Sequence, residues 1–289
     1  MTGPVIVIHG GAGGFGSELR ESASEHREAL TSALTAGAAA LDAGGGAIEA
    51  VRAAVMAMED FPLFNAGYGA ALCADGSVEL SASIMRGSDQ AAGAVALVRR
   101  TRNPVAAAAA LLDEPEVLLG GERADAFAAA AGLEQRDPSE FVTERQRQRL
   151  ASRLAGGGET VGAVCLDASG LLAAATSTGG LQGQRPGRIG DSPVIGAGTW
   201  ADGQVAVSCT GKGESFVRAG ASRLLAALVA SGVELESAAR EVLDAVGRCD
   251  GDGGLIAIDP RGEVATPFST EAMPRGVWRD GAGLIVEIP

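Results

Sequence analysis

The chain is 289 residues long and carries 23 Lys and Arg against 36 Asp and Glu, a net charge of −13, which argues against nucleic acid or an anionic membrane surface as a partner. That length suffices for one large domain with a core that needs no staples. Its 46% hydrophobic and 20% charged residues are ordinary for a soluble protein, but 43 Gly and 3% aromatics mean that Ala, Val, Leu and Ile must do the packing.

Residues 4–8 are a β-branched run ending in His9-Gly10-Gly11-Ala12-Gly13-Gly14, which predicts a buried strand and a turn. Apolar residues at helical spacing over 24–41 and 47–60 predict two helices, separated by the Gly44-Gly45-Gly46 stop and closed by Pro62. Residues 69–85 read as a hairpin about an Asp75-Gly76 turn, 92–99 as a further strand, and Pro104 as the opening of an Ala-rich helix. Between 134 and 159 charges and glutamines are dense and the segment closes on Gly156-Gly157-Gly158, which predicts an exposed linker. Two apolar runs, 160–166 and 171–175, then flank Asp167-Ala168-Ser169-Gly170 as a hairpin. Strands are expected at 205–208, 255–258 and 283–288, and helices at 216–231 and 235–246. Hairpins and paired helices favour an α+β layered arrangement over alternating βαβ units.

Several motifs fail on context. Gly11-Ala12-Gly13-Gly14-Phe15-Gly16 fits a dinucleotide loop, but the acid expected about 20 residues on falls in a helical pattern without one. Gly211-Lys212-Gly213 lacks the hydroxyl of a P-loop. The cysteines Cys73, Cys165, Cys209 and Cys249 have no C-x-x-C spacing and read as small buried thiols. Only His9 and His26 exist, His26 reading as a surface residue in a charged helix, so catalysis without a metal or other cofactor is the stronger enzyme reading. The first residues have no signal-peptide pattern and no run of about 18 apolar residues occurs, so a cytoplasmic protein is expected.

What remains is a set of hydroxyls and glycines: Thr160-Val161-Gly162-Ala163-Val164, Thr176-Ser177-Thr178-Gly179-Gly180 and Thr210-Gly211-Lys212-Gly213-Glu214. Were the chain cut before Thr160, one residue would carry both a hydroxyl nucleophile and a free α-amine as its base. Such an amine titrates at about 7.7–8, so a useful fraction accepts the hydroxyl proton with no histidine. On spacing alone Thr160 reads rather as an ordinary β-branched strand residue.

The first two of these stretches, with Ile8-His9-Gly10-Gly11-Ala12-Gly13, Phe64-Asn65-Ala66-Gly67-Tyr68-Gly69, Arg185-Pro186-Gly187-Arg188-Ile189-Gly190-Asp191-Ser192-Pro193, Gly196-Ala197-Gly198-Thr199 and Gly253-Gly254-Leu255-Ile256-Ala257, resemble the isoaspartyl peptidase / plant-type L-asparaginase family over nearly the whole chain. The resemblance implies a four-layer αββα sandwich of N-terminal-nucleophile type, a single domain that cleaves itself at Glu159–Thr160 into chains 1–159 and 160–289. It implies hydrolysis of the side-chain amide of L-asparagine and β-aspartyl dipeptides. Thr160 would be the nucleophile, Thr178 its hydrogen-bond partner, and the Thr210 hydroxyl and Gly211 N–H the oxyanion hole. Arg188 would grip the substrate α-carboxylate and Asp191 its α-ammonium, with Gly213 lining the same site, and Asn65 would assist processing. It further implies a structural sodium on the carbonyls of Met58, Glu59, Phe61, Phe64, Ala66 and Tyr68, and a homodimer of cleaved protomers, (αβ)2. Read without the family, Arg188 and Asp191 are a surface ion pair.

The chain departs from the family pattern at Glu159, where glycine or aspartate is familiar, at Ser81 and Arg86, which replace acids, and at Ser269 and Pro274. Two rivals stand beside the main reading: a glycosylasparaginase, against which the missing leader and disulfide framework weigh, and an uncleaved, inactive relative that binds rather than cuts. A denaturing gel separates the last from the others.

Overall fold

The computed structural model describes residues 3–14, 16–152 and 160–289, and its first strand already shows how the core is divided. β1 (Val5–His9) is buried throughout. Successive strand side chains point to opposite faces, so Val5 and Val7 enter one apolar cluster while Ile6 and Ile8 enter another. After α1 (Ser17–Glu21) come α2 (Ala23–Asp42) and α3 (Ala47–Glu59), divided at Gly44, whose φ of +86° suits glycine. Helix α2 buries His26, Leu30, Ala33, Leu34 and Gly37 along one stripe. His26 is therefore not on the surface: four residues before Leu30, it shares the apolar face, with Nδ1 2.9 Å from the Ser22 carbonyl and its ring edge against Phe64.

Next are β2 (Leu80–Arg86), β3 (Ala92–Val98), α4 (Pro104–Ala110), β4 (Leu118–Gly120) and α5 (Gly121–Ala130). The hairpin expected over 69–85 contracts to one bridge between Leu72 and Val78, because β2 pairs with β3 and with a later strand instead. The expected linker is largely ordered: Gln135 bridges Thr101, Pro138–Phe141 form a 3₁₀ turn, and α6 (Glu144–Ala151) follows. Sparse anchors suffice there, since Phe141 is buried and the buried Gln146 donates through Nε2 to the Gly69 carbonyl at 2.6 Å. The rest of that expectation, including Glu159, lies outside the described residues.

The second half runs β5 (Val161–Leu166), β6 (Leu172–Thr178), β7 (Thr199–Ala201), β8 (Ala206–Gly211), α7 (Gly213–Ala219), α8 (Ala221–Ala230), α9 (Leu235–Arg248), β9 (Gly253–Ile258), β10 (Val264–Ala265), β11 (Arg275–Arg279) and β12 (Gly283–Glu287). The single helix expected over 216–231 is broken at Gly220, left-handed at φ +58°. Among the described residues the strands form a sheet of order β12-β11-β1-β5-β6-β2-β3-β4 and a second of order β10-β9-β8-β7. Strands from before and after the interval 153–159 interleave in the larger sheet: β1 lies between β11 and β5, and the β5–β6 pair between β1 and β2. Among the described residues every pairing between these strands is antiparallel except β3 with β4.

Among the described residues three apolar clusters follow from strand alternation. Ile6, Ile8, Ala163 and Cys165 pack with α2 and α3, whereas Val5, Val7, Val164 and Leu166 meet Ala206, Ile256 and Ile258 of the smaller sheet. Val207, Cys209, Leu255 and Ala257 pack on the other side with Leu225, Ala239 and Val242 of α8 and α9. The fold is thus mixed α+β. Cys73, Cys165 and Cys209 are buried and Cys249 half-buried, all four as free thiols. No helix among the described residues is long and apolar enough to cross a membrane.

Candidate active site

Thr160 lies immediately before β5 and is only 4% exposed. Its hydroxyl donates to Oγ1 of Thr178, 3.2 Å away at the end of β6, and the register pairing Val161 with Ser177 sets the two threonines side by side. Thr178 Oγ1 also accepts the Gly180 N–H at 3.0 Å. Strand β8, which packs across the sheet interface on β5, ends at the fully buried Thr210 and at Gly211. Thr210 Oγ1 accepts the Ala12 N–H at 3.1 Å, which ties the N-terminal Gly-rich loop to this strand end. Gly211 has φ +143°, and a Cβ there would stand 2.4 Å from the Asp252 carbonyl, so no other residue fits.

Arg188 and Asp191 lie beside Gly213, where a Cβ would be 2.8 Å from Asp191 Oδ1 and 3.0 Å from Arg188 Nη2. They are not an ion pair with each other. Arg188 donates bidentately to Glu214, Nε to Oε1 at 2.9 Å and Nη2 to Oε2 at 3.0 Å, and Nη1 donates to Gln184 Oε1 at 3.3 Å. Asp191 is buried, and its Oδ2 has no partner among the described residues. Burial pushes its carboxyl up to about 7, against the pull of the Arg188 charge. Such an acid is a waiting acceptor for a cation.

Asn65 is spent on the turn after β6: Nδ2 donates to the Gly180 carbonyl at 2.6 Å and Oδ1 accepts the Ala71 N–H at 2.6 Å. It positions that turn, one step removed from Thr160. In the loop after α3, the carbonyls of Met58, Glu59 and Phe61 accept the N–H groups of Phe61, Tyr68 and Phe64, and Gly67 at φ +50° closes the loop against Glu59. Phe64 and Ala66 are buried and Tyr68 is exposed. The Glu59 side chain is fully buried, with Oε1 accepting from Ser177 Oγ at 2.6 Å and Val105 N at 3.0 Å; burial pushes its carboxyl up to about 8.

Residues 2–285 match the family described as asparaginase. The chain belongs to this family. It is 44% identical over 297 residues to the isoaspartyl peptidase of Salmonella typhimurium, covering 95% of each chain. It is 47% identical over 242 residues to that of Escherichia coli, covering 77% of this chain and 75% of the other. To the isoaspartyl peptidase/L-asparaginase of Bos taurus it is 40% identical over 292 residues, covering 96% of this chain and 94% of the other.

Within this asparaginase-family site the sequence left Glu214, Gln184 and a buried hydroxyl chain without roles. His9 Nε2 is 3.0 Å from Ser208 Oγ, Ser208 Oγ is 2.7 Å from Thr176 Oγ1, Thr199 donates to Thr176 at 2.5 Å, and Ser83 donates to Thr199 at 2.8 Å. Alternation carried the signal: Ser208 and Thr210 share the face of β8 opposite Val207 and Cys209. Burial drives the His9 imidazole down to about 3, so it stays neutral. Gly162 makes room, since a Cβ there would lie 2.0 Å from Ser208 Oγ and 2.5 Å from His9 Nε2. Among the departures from the family pattern, Ser81 stands opposite Thr178 in the β2–β6 register and Ser269 bonds the backbone of Gly253. Arg86 pairs outward with Asp89 and Asp113, and the Pro274 carbonyl accepts the Gly10 N–H.

Proposed function

We propose that this chain is an amidohydrolase, an isoaspartyl peptidase and L-asparaginase, that first cuts itself between Glu159 and Thr160. The observation that carries the reading is the buried Thr160 hydroxyl on Thr178 at the head of β5, beside a strand end that offers Thr210 and Gly211. In maturation Thr160 Oγ attacks the Glu159 carbonyl, the peptide C–N bond breaks as an ester forms, and water opens the ester to leave a carboxylate and a free Thr160 amine. In turnover that amine takes the hydroxyl proton as Oγ attacks the substrate side-chain carbonyl, then gives it to the departing amine. Water next hydrolyses the aspartyl ester and L-aspartate leaves. Thr210 and the Gly211 N–H hold the oxyanion, two donors placed where charge develops. Arg188 grips the α-carboxylate and Asp191 the α-ammonium, with Gly213 leaving them room.

The three separate cores support the four-layer αββα sandwich of N-terminal-nucleophile hydrolases, one domain made of chains 1–159 and 160–289. The loop from Met58 to Tyr68 fits a structural sodium ion, because the carbonyls of Met58, Glu59 and Phe61 each keep a second lone pair after accepting an N–H, and such an ion would supply only rigidity. The working form is a homodimer of cleaved protomers in the cytoplasm. Intact mass and N-terminal sequencing test the reading together with aspartate release from L-asparagine and β-Asp-Leu. Two chains, beginning at Met1 and Thr160, and release from both substrates are expected; one intact, silent chain after prolonged incubation at neutral pH would leave the inactive relative.

A further inference from the structure

A cavity of about 360 Å³ opens beside Gly211, walled by Gly13, Gly14, Lys212, Asp252 and Glu271. Gly211 and Lys212 line it, and Gly213, two residues past Gly211, packs against Arg188 and Asp191, which lie outside that wall. The amide carbon of a β-aspartyl dipeptide has the aspartyl head on one side and the leaving residue on the other. With the head on Arg188 and Asp191 and the carbonyl oxygen on Gly211, the leaving residue is directed into this cavity, whereas ammonia leaving from L-asparagine never fills it. The wall is built to stay open: a Cβ on Gly13 meets nothing within 4 Å, and one on Gly14 meets only Glu271 Oε2, at 3.8 Å. It is also anchored, by reciprocal backbone bonds of 3.0 Å between Gly13 and Ala272 and by the Ala12 bond to Thr210.

We propose that this cavity is the subsite for the leaving residue of β-aspartyl dipeptides and that it favours a basic leaving residue. The inference rests on the amidohydrolase reading above. Lys212 Nζ donates to the Asp250 carbonyl at 2.7 Å, which uses one of its three N–H groups and leaves two for the leaving residue's α-carboxylate. Its backbone N–H donates to the Asp252 carbonyl at 3.0 Å, which holds cation and acid on the same rim. Asp252 and Glu271 line the same cavity, so a leaving side chain placed there meets two acidic residues. Lys212, Asp252 and Glu271 are all solvent-exposed, so the selection is modest and sensitive to salt.

The test compares kcat/KM for β-Asp-Lys, β-Asp-Leu and β-Asp-Glu, with L-asparagine alongside, in the mature enzyme and in the Asp252→Asn, Glu271→Gln double variant. The expected order is Lys over Leu over Glu, with a spread of about five- to twentyfold at low salt, narrowing to about twofold in the double variant and in about 0.5 M NaCl. Glu271→Lys, a change at an exposed position, should invert the order of the charged pair. L-asparagine turnover with a flat dipeptide profile in the wild type, or an unchanged spread in the double variant, overturns the assignment of the cavity alone. Silence toward every substrate, L-asparagine included, overturns the amidohydrolase reading and this inference with it.

Discussion

Arg188 meets Glu214 with two parallel N–H groups, the geometry in which a guanidinium also takes a substrate carboxylate. A lysine ammonium has no such fork, so Arg188→Lys should lower kcat/KM for β-Asp-Leu by about 30- to 1000-fold, the equivalent of about 2–4 kcal/mol. Self-cleavage involves no free carboxylate and should proceed, so a denaturing gel showing normal chains beside a crippled assay is the expected result. Asp191 makes a second prediction. It must be ionised to hold an ammonium and titrates at about 7 in the free site, so kcat/KM should fall as pH drops through 7, more steeply than kcat, which is read with the substrate already bound. Paired pH profiles check this, and equal slopes would remove Asp191 from the substrate site. Thr160, Thr178, Thr210 and Asp191 were singled out through the family resemblance, since spacing alone reads Thr160 as a strand residue and Asp191 as half of a surface ion pair. The Glu214 clasp was not, because Arg188 and Glu214 are far apart in the chain and meet only when β8 and α7 are folded.

Helices with long apolar periods, such as α2 and α3, were readable to within a residue or two, since many positions repeat one message. Short elements were not: β7 and β10 carry too few residues for any period, and α6 is almost wholly polar, held by Gln146 rather than by an apolar stripe. The break between α7 and α8 hid in Gly220, which a periodic reading passes over. Two glycines test how packing overrides helix propensity. At Gly37 in α2 a Cβ would lie 2.9 Å from Ile6 Cδ1 and 3.1 Å from the Ala50 carbonyl, so Gly37→Ala should destabilise by about 1–3 kcal/mol despite alanine's better propensity. Gly247 in α9 has nothing within 4 Å, and Gly247→Ala should stabilise by up to about 1 kcal/mol. Urea midpoints should move in opposite directions.

The pH dependence of stability belongs to the whole molecule, where buried groups oppose one another. His9, held at about 3 when folded against about 6.5 unfolded, contributes stability that is lost as pH falls through that interval. Glu59 and Asp191, raised to about 8 and about 7, work the other way: the folded protein keeps protons that the unfolded chain has released, so stability falls as pH rises from about 4 toward 8. A melting temperature that declines above neutrality, and declines less in Glu59→Gln, is the expected thermal scan. At this scale the α+β class was legible from hairpins and helix pairs, but the strand order was not, since it is set by pairings between the two halves of the chain. That strand order gives maturation a direction. Once the bond before Thr160 is cut, β1 of one fragment stays wedged between β11 and β5 of the other, and β5–β6 between β1 and β2, so neither fragment can leave without tearing the sheet apart. The precursor folds as a single tethered chain, whereas the mature enzyme, once melted, must find its other half by collision. It is a clasp that closes once: recovery after denaturation should be dilution-sensitive for the cut protein and dilution-insensitive for an uncut Thr160→Ala chain.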